Sequence, residues 1–357
     1  MESGGTAELT LPAAPYAVLD ALEKLQMEDG EKPRWEILQI YDCNSIVPFL
    51  DHGGPVQELN ALCQRLAVLA EDELAIVEGL AGIECSDYAA PHPVPLPRLI
   101  DMTYSTDRCH FVEGVVTDAQ LGRFAAENGF VPEADDLPDE AFRLLDFERI
   151  GREFRQSEGG VFTRGGYVQK YRELRQMYET LDFAPKSPDY AVLVQTADGA
   201  RIKLPLPLGE AVVDEPVQCL DCAAPALTGL TGMLGTWDVL AQRLARLTVD
   251  GELTKYKAVL DTVRCDDPGH ALALADGLEQ YAFSPDVCGP EEAAFAHLEQ
   301  LLPEQEVRRL LPHVSLWKYG QAVIQGMGGT ITGYGLIQPN GCEQEQQPAQ
   351  GGMEMTQ

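Results

Sequence analysis

The sequence predicts an α+β protein made of two tandem modules of small antiparallel sheets and short helices. Three observations predict it. Helix-period and strand-period segments are intermixed, the order of those segments recurs later in the chain, and 357 residues exceed one ordinary domain but suffice for two cores.

Taken in order, the first stretch reads strand, helix, strand. Glu8 to Leu11 is short and extended, and Pro15 sits where a helix opens. Leu19, Leu22 and Leu25 then repeat at helical spacing, and Trp35 to Tyr41 alternates like a strand. From Glu58 the pattern is helical, with Leu59, Leu62, Leu66 and Leu69 on one stripe. A second helix follows the acidic cluster Glu71, Asp72 and Glu73, whose charges suit a helix N-terminus. Residues 86–98 hold Pro91, Pro93, Pro95 and Pro97, a spacing that neither a helix nor a central strand accepts, so an extended insertion is expected. Beyond it, Asp118 to Glu127 reads as a helix ending near Gly129, Pro138 opens a short helix, and Asp146 to Gln156 forms another that stops at Gly159-Gly160. Val161 to Val168 resembles a hairpin, and Gln169 to Leu181 reads as a linking helix.

The internal recurrence can be followed residue by residue. Tyr41-Asp42-Cys43 answers to Leu220-Asp221-Cys222, and Gln64-Arg65-Leu66-Ala67-Val68-Leu69 answers to Gln242-Arg243-Leu244-Ala245-Arg246-Leu247. Phe124 aligns with Phe295. Ile150-Gly151-Arg152, closing in Gly159-Gly160-Val161-Phe162-Thr163, aligns without gaps to Tyr319-Gly320-Gln321, closing in Gly328-Gly329-Thr330-Ile331-Thr332. This divides the chain into module 1 over residues 1–185, module 2 over residues 186–337, and a Gln-, Glu- and Gly-rich tail over 338–357 that is expected to be disordered. Module 2 lacks the Pro-rich insertion and the first helix. Two copies imply an intrachain pseudo-dimer, with a homodimer as the other arrangement.

Charge narrows the function classes. Acids outnumber bases 57 to 26, for a formal charge of −31, and both halves carry the excess. Such a chain repels nucleic acid and attracts basic partners; the bland reading is that acidity only aids solubility. No cationic stretch followed by an apolar core opens the sequence, and no eighteen consecutive apolar residues occur, so a cytoplasmic protein without a membrane segment is expected. Nine scattered cysteines read as free thiols in a reducing compartment.

Signatures of hydrolases, zinc proteases, phosphate loops and dinucleotide sites are missing from the sequence, so no enzyme activity and no cofactor are expected. The glycines of 159–166 and 326–335 lie among β-type residues and read as hairpin turns. Cys219 and Cys222, with Cys265 and Cys288, offer a zinc pattern of low specificity; buried thiols are the simpler reading, and no metal is expected. Arg149, Arg152 and Arg155 alternate with Glu148 and Glu153, which suits ion pairing along the helix. The acids themselves cluster. Residues 58–87 hold seven against Arg65 alone, and residues 127–148 hold eight against Arg143 alone. A weaker group comprises Asp286, Glu291, Glu292, Glu299, Glu304 and Glu306. Duplex DNA carries one charge per ~1.7 Å of axis, so the net charge equals that of roughly 50 Å of duplex, but it imitates DNA only if it is concentrated on one surface.

At these residues the chain resembles the ArdA antirestriction proteins of mobile genetic elements. The resemblance is carried by Ile37 to Asp42, by Glu58-Leu59-Asn60 with Leu62, and by Phe124 through Glu127-Asn128-Gly129-Phe130. Its most specific phrase is Leu145-Asp146-Phe147-Glu148-Arg149-Ile150-Gly151-Arg152-Glu153 followed by Gly159-Gly160-Val161-Phe162-Thr163. It implies an elongated α+β protein whose carboxylates imitate DNA phosphates and occupy the DNA-binding groove of a type I restriction and modification enzyme. The carboxylates expected in that role are Glu71, Asp72, Glu73, Glu78, Glu133, Asp135, Asp136, Asp139, Glu140, Asp146 and Glu148. The alternative function is an acidic adaptor or regulator that binds another basic protein.

Overall fold

The computed structural model describes residues 5–27, 33–41, 45–51, 53–86, 92–184, 187–207 and 214–340. Within them lie 13 α-helices and three small antiparallel sheets, an α+β fold. The chain forms two compact units: residues 10–13 and 33–184 make the first, and residues 5–9, 14–27 and 187–340 make the second.

Helix α1 (Pro15–Lys24) opens at Pro15 as its sequence predicts. It packs in the second unit, however, although the sequence pattern groups it with the first module. Its buried face explains this. Asp20, only 5% exposed, meets the ammonium of Lys257 at 2.8 Å and the hydroxyl of Tyr334 at 2.8 Å, so the helix presents a carboxylate where an isolated amphipathic helix would present a leucine.

In the first unit, α2 (Val56–Leu66), α3 (Glu71–Glu84) and α4 (Leu96–Thr103) enclose a core of Leu62, Val77, Leu80, Leu99, Ile100 and Met102. Then follow β1 (Cys109–Glu113), α5 (Asp118–Glu127), α6 (Asp139–Phe142), α7 (Phe147–Glu158), β2 (Val161–Phe162) and β3 (Gly166–Lys170). The strands pair in the order β1-β3-β2, with Phe111 opposite Val168. Gly79 of α3 lets that helix lie on the sheet, because any Cβ there would overlap the Val168 side chain. Helix α7 stops at Gly159, whose φ of 66° is the left-handed cap that glycine adopts freely.

Five segments differ from their sequence pattern. Glu8 to Leu11 and Trp35 to Tyr41 form no strand: alternation needs a partner ladder, and here Leu38 and Tyr41 are 68% and 71% exposed. The proline-rich stretch is extended only briefly, with Val94 bridged to Leu50, before α4 opens with Pro97 in its first turn; residues 87–91 lie outside the described residues. Residues 171–181 hold no α-helix. The Arg175 N–H donates to Ser105 Oγ at 2.9 Å and the Tyr178 N–H to Asp101 Oδ1 at 2.8 Å, so two side chains at the end of α4 draw this backbone along the bundle and prevent it from coiling. Finally, Gln338 and Pro339, assigned by composition to a tail, belong to a strand of the second unit; residues 341–357 lie outside the described residues.

The second unit opens with β4 (Val192–Thr196), β5 (Arg201–Leu204), β6 (Pro216–Cys222) and β7 (Thr231–Met233), ordered β5-β4-β6-β7. Helix α1 packs on β6. Next come α8 (Leu234–Asp250), α9 (Leu253–Thr262) and α10 (Pro268–Asp276), whose core centres on Trp237, Leu240, Leu244, Tyr256 and Val259. The unit ends in β8 (Tyr281–Ser284), α11 (Pro290–Leu301), α12 (Glu304–Leu310), α13 (Leu316–Gly326), β9 (Thr330–Thr332) and β10 (Gly335–Pro339), with strand order β8-β10-β9.

The element order from α8 to β10 follows that from α2 to β3, and single interactions recur with it. Arg65 Nη2 donates to the Thr103 carbonyl and Arg243 Nη2 to the Ala275 carbonyl, both at 3.0 Å. Thr163 Oγ1 caps Gly166 O at 3.0 Å, and Thr332 Oγ1 caps Gly335 O at 2.8 Å. A Cβ on Gly151 would overlap the Asp118 carbonyl, and one on Gly320 would overlap the Pro290 carbonyl. That last correspondence sets the helix register: Phe124 matches Ala296, and Phe295 matches Arg123, one residue from the alignment that the sequence alone suggests.

Asp221 of β6 is 2% exposed. Its Oδ2 accepts the Tyr190 hydroxyl at 2.7 Å and the Tyr16 N–H at 3.3 Å, while Oδ1 has no hydrogen-bond partner. Burial pushes this carboxyl above the usual carboxylate range, against the opposing pull of the two hydrogen bonds. A carboxyl raised on folding stabilises fully below its unfolded pKa, about 4, and loses that contribution as pH rises through its folded pKa. Asp221→Asn should therefore gain in Tm relative to the wild type as pH climbs from 4 to 8, as thermal melts across that range would show.

Candidate partner-binding surface

Helices α5 and α7 form the base of the candidate surface. They touch through Gly122 and Gly151: a Cβ on either would overlap a backbone carbonyl of the other helix, at Phe147 or Asp118. Thr117 caps α5 by accepting the Gln120 N–H, and Asp146 caps α7 by accepting the Arg149 N–H at 3.1 Å.

Residues 118–158 hold eleven acids and five arginines, so the distribution of partners decides where negative charge remains. Four arginines are paired: Arg123 with Glu127 at 2.9 Å, Arg149 with Glu153 at 2.8 Å, Arg152 with Glu148 at 2.8 Å and Arg155 with Asp118 at 2.8 Å. The Arg155 guanidinium holds the Asp118 carboxyl below the usual carboxylate range, despite a small opposing effect of burial. Helix α7 is thereby close to neutral along its length. The unneutralised carboxylates lie instead in the connection between α5 and α7, where Glu133, Asp135, Asp136, Asp139 and Glu140 are exposed and make no ion pair among the described residues. Arg143 is the one base in that connection.

The eleven carboxylates expected from the sequence therefore fall into separate groups. Glu133 to Glu140 share one surface connection. Asp146 is a helix cap, and Glu148 is neutralised by Arg152. Glu71 and Asp72 are exposed in the first turn of α3, but Glu73 caps the Ala70 N–H at 3.1 Å and accepts the Thr106 hydroxyl at 3.2 Å. Glu78 is half-buried in the middle of α3; burial pushes its carboxyl up, against a hydrogen bond from Ser45 and the charge of Arg164.

Two apolar residues flank the acidic connection, and the sequence pattern alone did not single them out as surface groups. Phe130 is 55% exposed although its ring lies 6.0 Å from Phe124 and 5.7 Å from Phe154, and Leu144 is 86% exposed. In the second unit the matching helices carry fewer charged residues, although Glu291, Glu292 and Glu299 of α11 are exposed. Trp317, 49% exposed, stands where α7 has Glu148, and Phe295, 40% exposed, stands where α5 has Arg123. Glu304 there is paired with Arg308 at 2.6 Å.

Elsewhere in the second unit, Cys219 and Cys222 are buried thiols of β6. The Cys222 thiol beside it and burial together push the Cys219 thiol upward. Among the described residues no group of three or more His, Cys, Asp or Glu side chains is arranged to hold a metal, and no helix is long and apolar enough to cross a membrane. A concavity of about 350 Å³ is lined by Glu23, Gln26, Thr254, Pro285, Asp286 and Tyr334, and one of about 210 Å³ lies beside Tyr281 and Gln338.

No family model matches the chain, and neither the curated proteins nor the solved structures contain a match.

Proposed function

We propose that the chain is a non-enzymatic, ArdA-like antirestriction protein of the cytoplasm. Its carboxylates Glu133, Asp135, Asp136, Asp139 and Glu140 stand in for DNA phosphates in the DNA-binding groove of a type I restriction and modification enzyme. The observation that carries this reading is the partition of charge: ion pairing neutralises α7 and leaves an unpaired acidic run on the α5–α7 connection. A run of exposed carboxylates without bases attracts a cationic groove over distances set by ionic strength, about 10 Å at 0.1 M salt. It repels nucleic acid for the same reason, so the chain competes with DNA without binding it. The second unit, whose α11–α13 connection holds Glu304 and Glu306 balanced by Arg308 and Arg309, contributes less to this activity.

The test is cleavage of unmodified DNA by a type I restriction enzyme in the presence of the purified chain. The wild type should protect the DNA, with a potency that falls steeply between about 50 and about 200 mM salt. A variant carrying Lys at positions 135, 136, 139 and 140 should protect on the order of a hundredfold less well. Equal protection by the variant, or protection that ignores salt, rejects the reading.

A further inference from the structure

We infer that Phe130 and Leu144 are apolar anchors for the partner, and that its cationic groove holds matching apolar pockets beside the positions that bind phosphate. This rests on the DNA-mimic reading and deepens it, because it concerns how one DNA-binding protein is chosen over others.

Leu144 lies 86% exposed between Arg143 and Leu145, and Phe130 lies 55% exposed just past Gly129. They bracket the acidic run 133–140 in the chain, one at each end of the α5–α7 connection. Neither exposure is dictated by the local fold. Phe142 and Phe147, in the same connection and the start of α7, pack on each other with ring centroids 5.4 Å apart, and the Arg123 guanidinium covers the Phe147 ring at 5.8 Å. The connection thus has its own aromatic filling, which leaves Leu144 outside it and one side of Phe130 exposed. Phe130 is held in place by its ring contacts to Phe124 and Phe154, so it loses little conformational freedom on binding, as suits an anchor.

The surrounding charge identifies the occupant. Five carboxylates flanked by two apolar groups complement a groove that is basic with apolar recesses. A second copy of this chain carries the same acidic run and would be repelled from it. Duplex DNA offers no such apolar projection along its phosphates, so anchors of this kind favour one partner where charge alone would draw any DNA-binding protein. Charge then supplies salt-dependent attraction, while the anchors supply affinity that salt does not screen.

The experiment measures protection from a type I restriction enzyme, and in parallel from a nonspecific basic nuclease, for the wild type, Leu144→Ser, Phe130→Ala with Leu144→Ser, and the four-lysine charge variant. Leu144→Ser removes almost no packing, so it tests the idea even if the Phe130 substitution lowers the melting temperature. The double variant should need about tenfold more protein to protect against the restriction enzyme, with an unchanged salt slope and unchanged behaviour toward the nuclease. Wild-type potency in both apolar variants, while the charge variant is impaired, overturns the anchors and leaves the mimic reading standing. A change in oligomeric mass in the apolar variants, seen by light scattering, also overturns them by making the patch a self-association surface. Full potency in the charge variant, or no protection by the wild type, removes the mimic reading and the anchors together.

Discussion

Lys257→Met should destabilise the second unit by about 3 kcal/mol and release α1 from it. The Lys257 ammonium is 2.8 Å from Asp20 and 2.7 Å from Glu23, with side-chain exposures of 6% for the lysine and 8% for Asp20. Burial alone would lower the pKa of this lysine, but Asp20 and Glu23 more than reverse that and raise it above the ordinary value. Removing one member of a buried pair strands the other, which is costlier than the pair is stabilising. The loss stays near the lower end of the usual range because Lys24, at 3.2 Å, and the Tyr334 hydroxyl still reach Asp20. For a unit of this size the melting temperature should fall by roughly 6–12 °C, and a protease should gain access to residues 15–24. A lysine raised on folding contributes fully below its unfolded pKa and loses its contribution only as pH passes the folded value. The gap between wild type and variant should therefore be constant from pH 6 to 9. Adding Asp20→Asn to the variant should recover part of the loss, since the stranded charge disappears.

Gly151→Val should be at least as damaging to the first unit. The α5–α7 contact is backbone against backbone at Gly122 and Gly151, so the added carbons cannot be accommodated by turning a side chain; the helices must separate. Overpacking of this kind costs about 3 kcal/mol, visible as a lower melting temperature of the first unit. The matching Gly320→Val, which would strike the Pro290 carbonyl, should lower the stability of the second unit in the same way. If Gly151→Val melts like the wild type, the close approach of α5 and α7 is wrong.

Local chemistry made much of this fold readable. Asp118 to Glu127 is bounded by a Thr cap and Gly129, and α5 has those limits. Gly159 ends α7, and both glycine-rich stretches are hairpins. What escaped depends on partners distant in sequence. The alternation of Trp35 to Tyr41 has no neighbouring strand, and the helical spacing after Gln169 is overridden by two hydrogen bonds to the α4 end. The destination of α1 depends on Lys257 and Tyr334, more than 200 residues away; the one local sign was an aspartate on the face expected to be apolar. The candidate site was half readable. Composition located the acidic run, but only the structure separates the unpaired Glu133 to Glu140 from Glu148, which is neutralised, and from Glu78, which is half-buried. Leu144, one half of a Leu-Leu pair, is almost fully exposed, and nothing in the local sequence signals it.

The placement of α1 also bears on how the protein is made. This helix leaves the ribosome well before the strand and helices that bury Asp20, which are encoded at positions 216–339. At about 5–20 residues per second, it waits roughly 15–60 s for its binding site to be synthesised. The first unit can complete itself in that interval, whereas the second closes only once both α1 and β10 exist. Expressed from residue 187 onward, the second unit would emerge with an empty berth on β6 and two partners stripped of their acids, Lys257 and Tyr334, facing solvent; supplying α1 as a separate peptide should restore it.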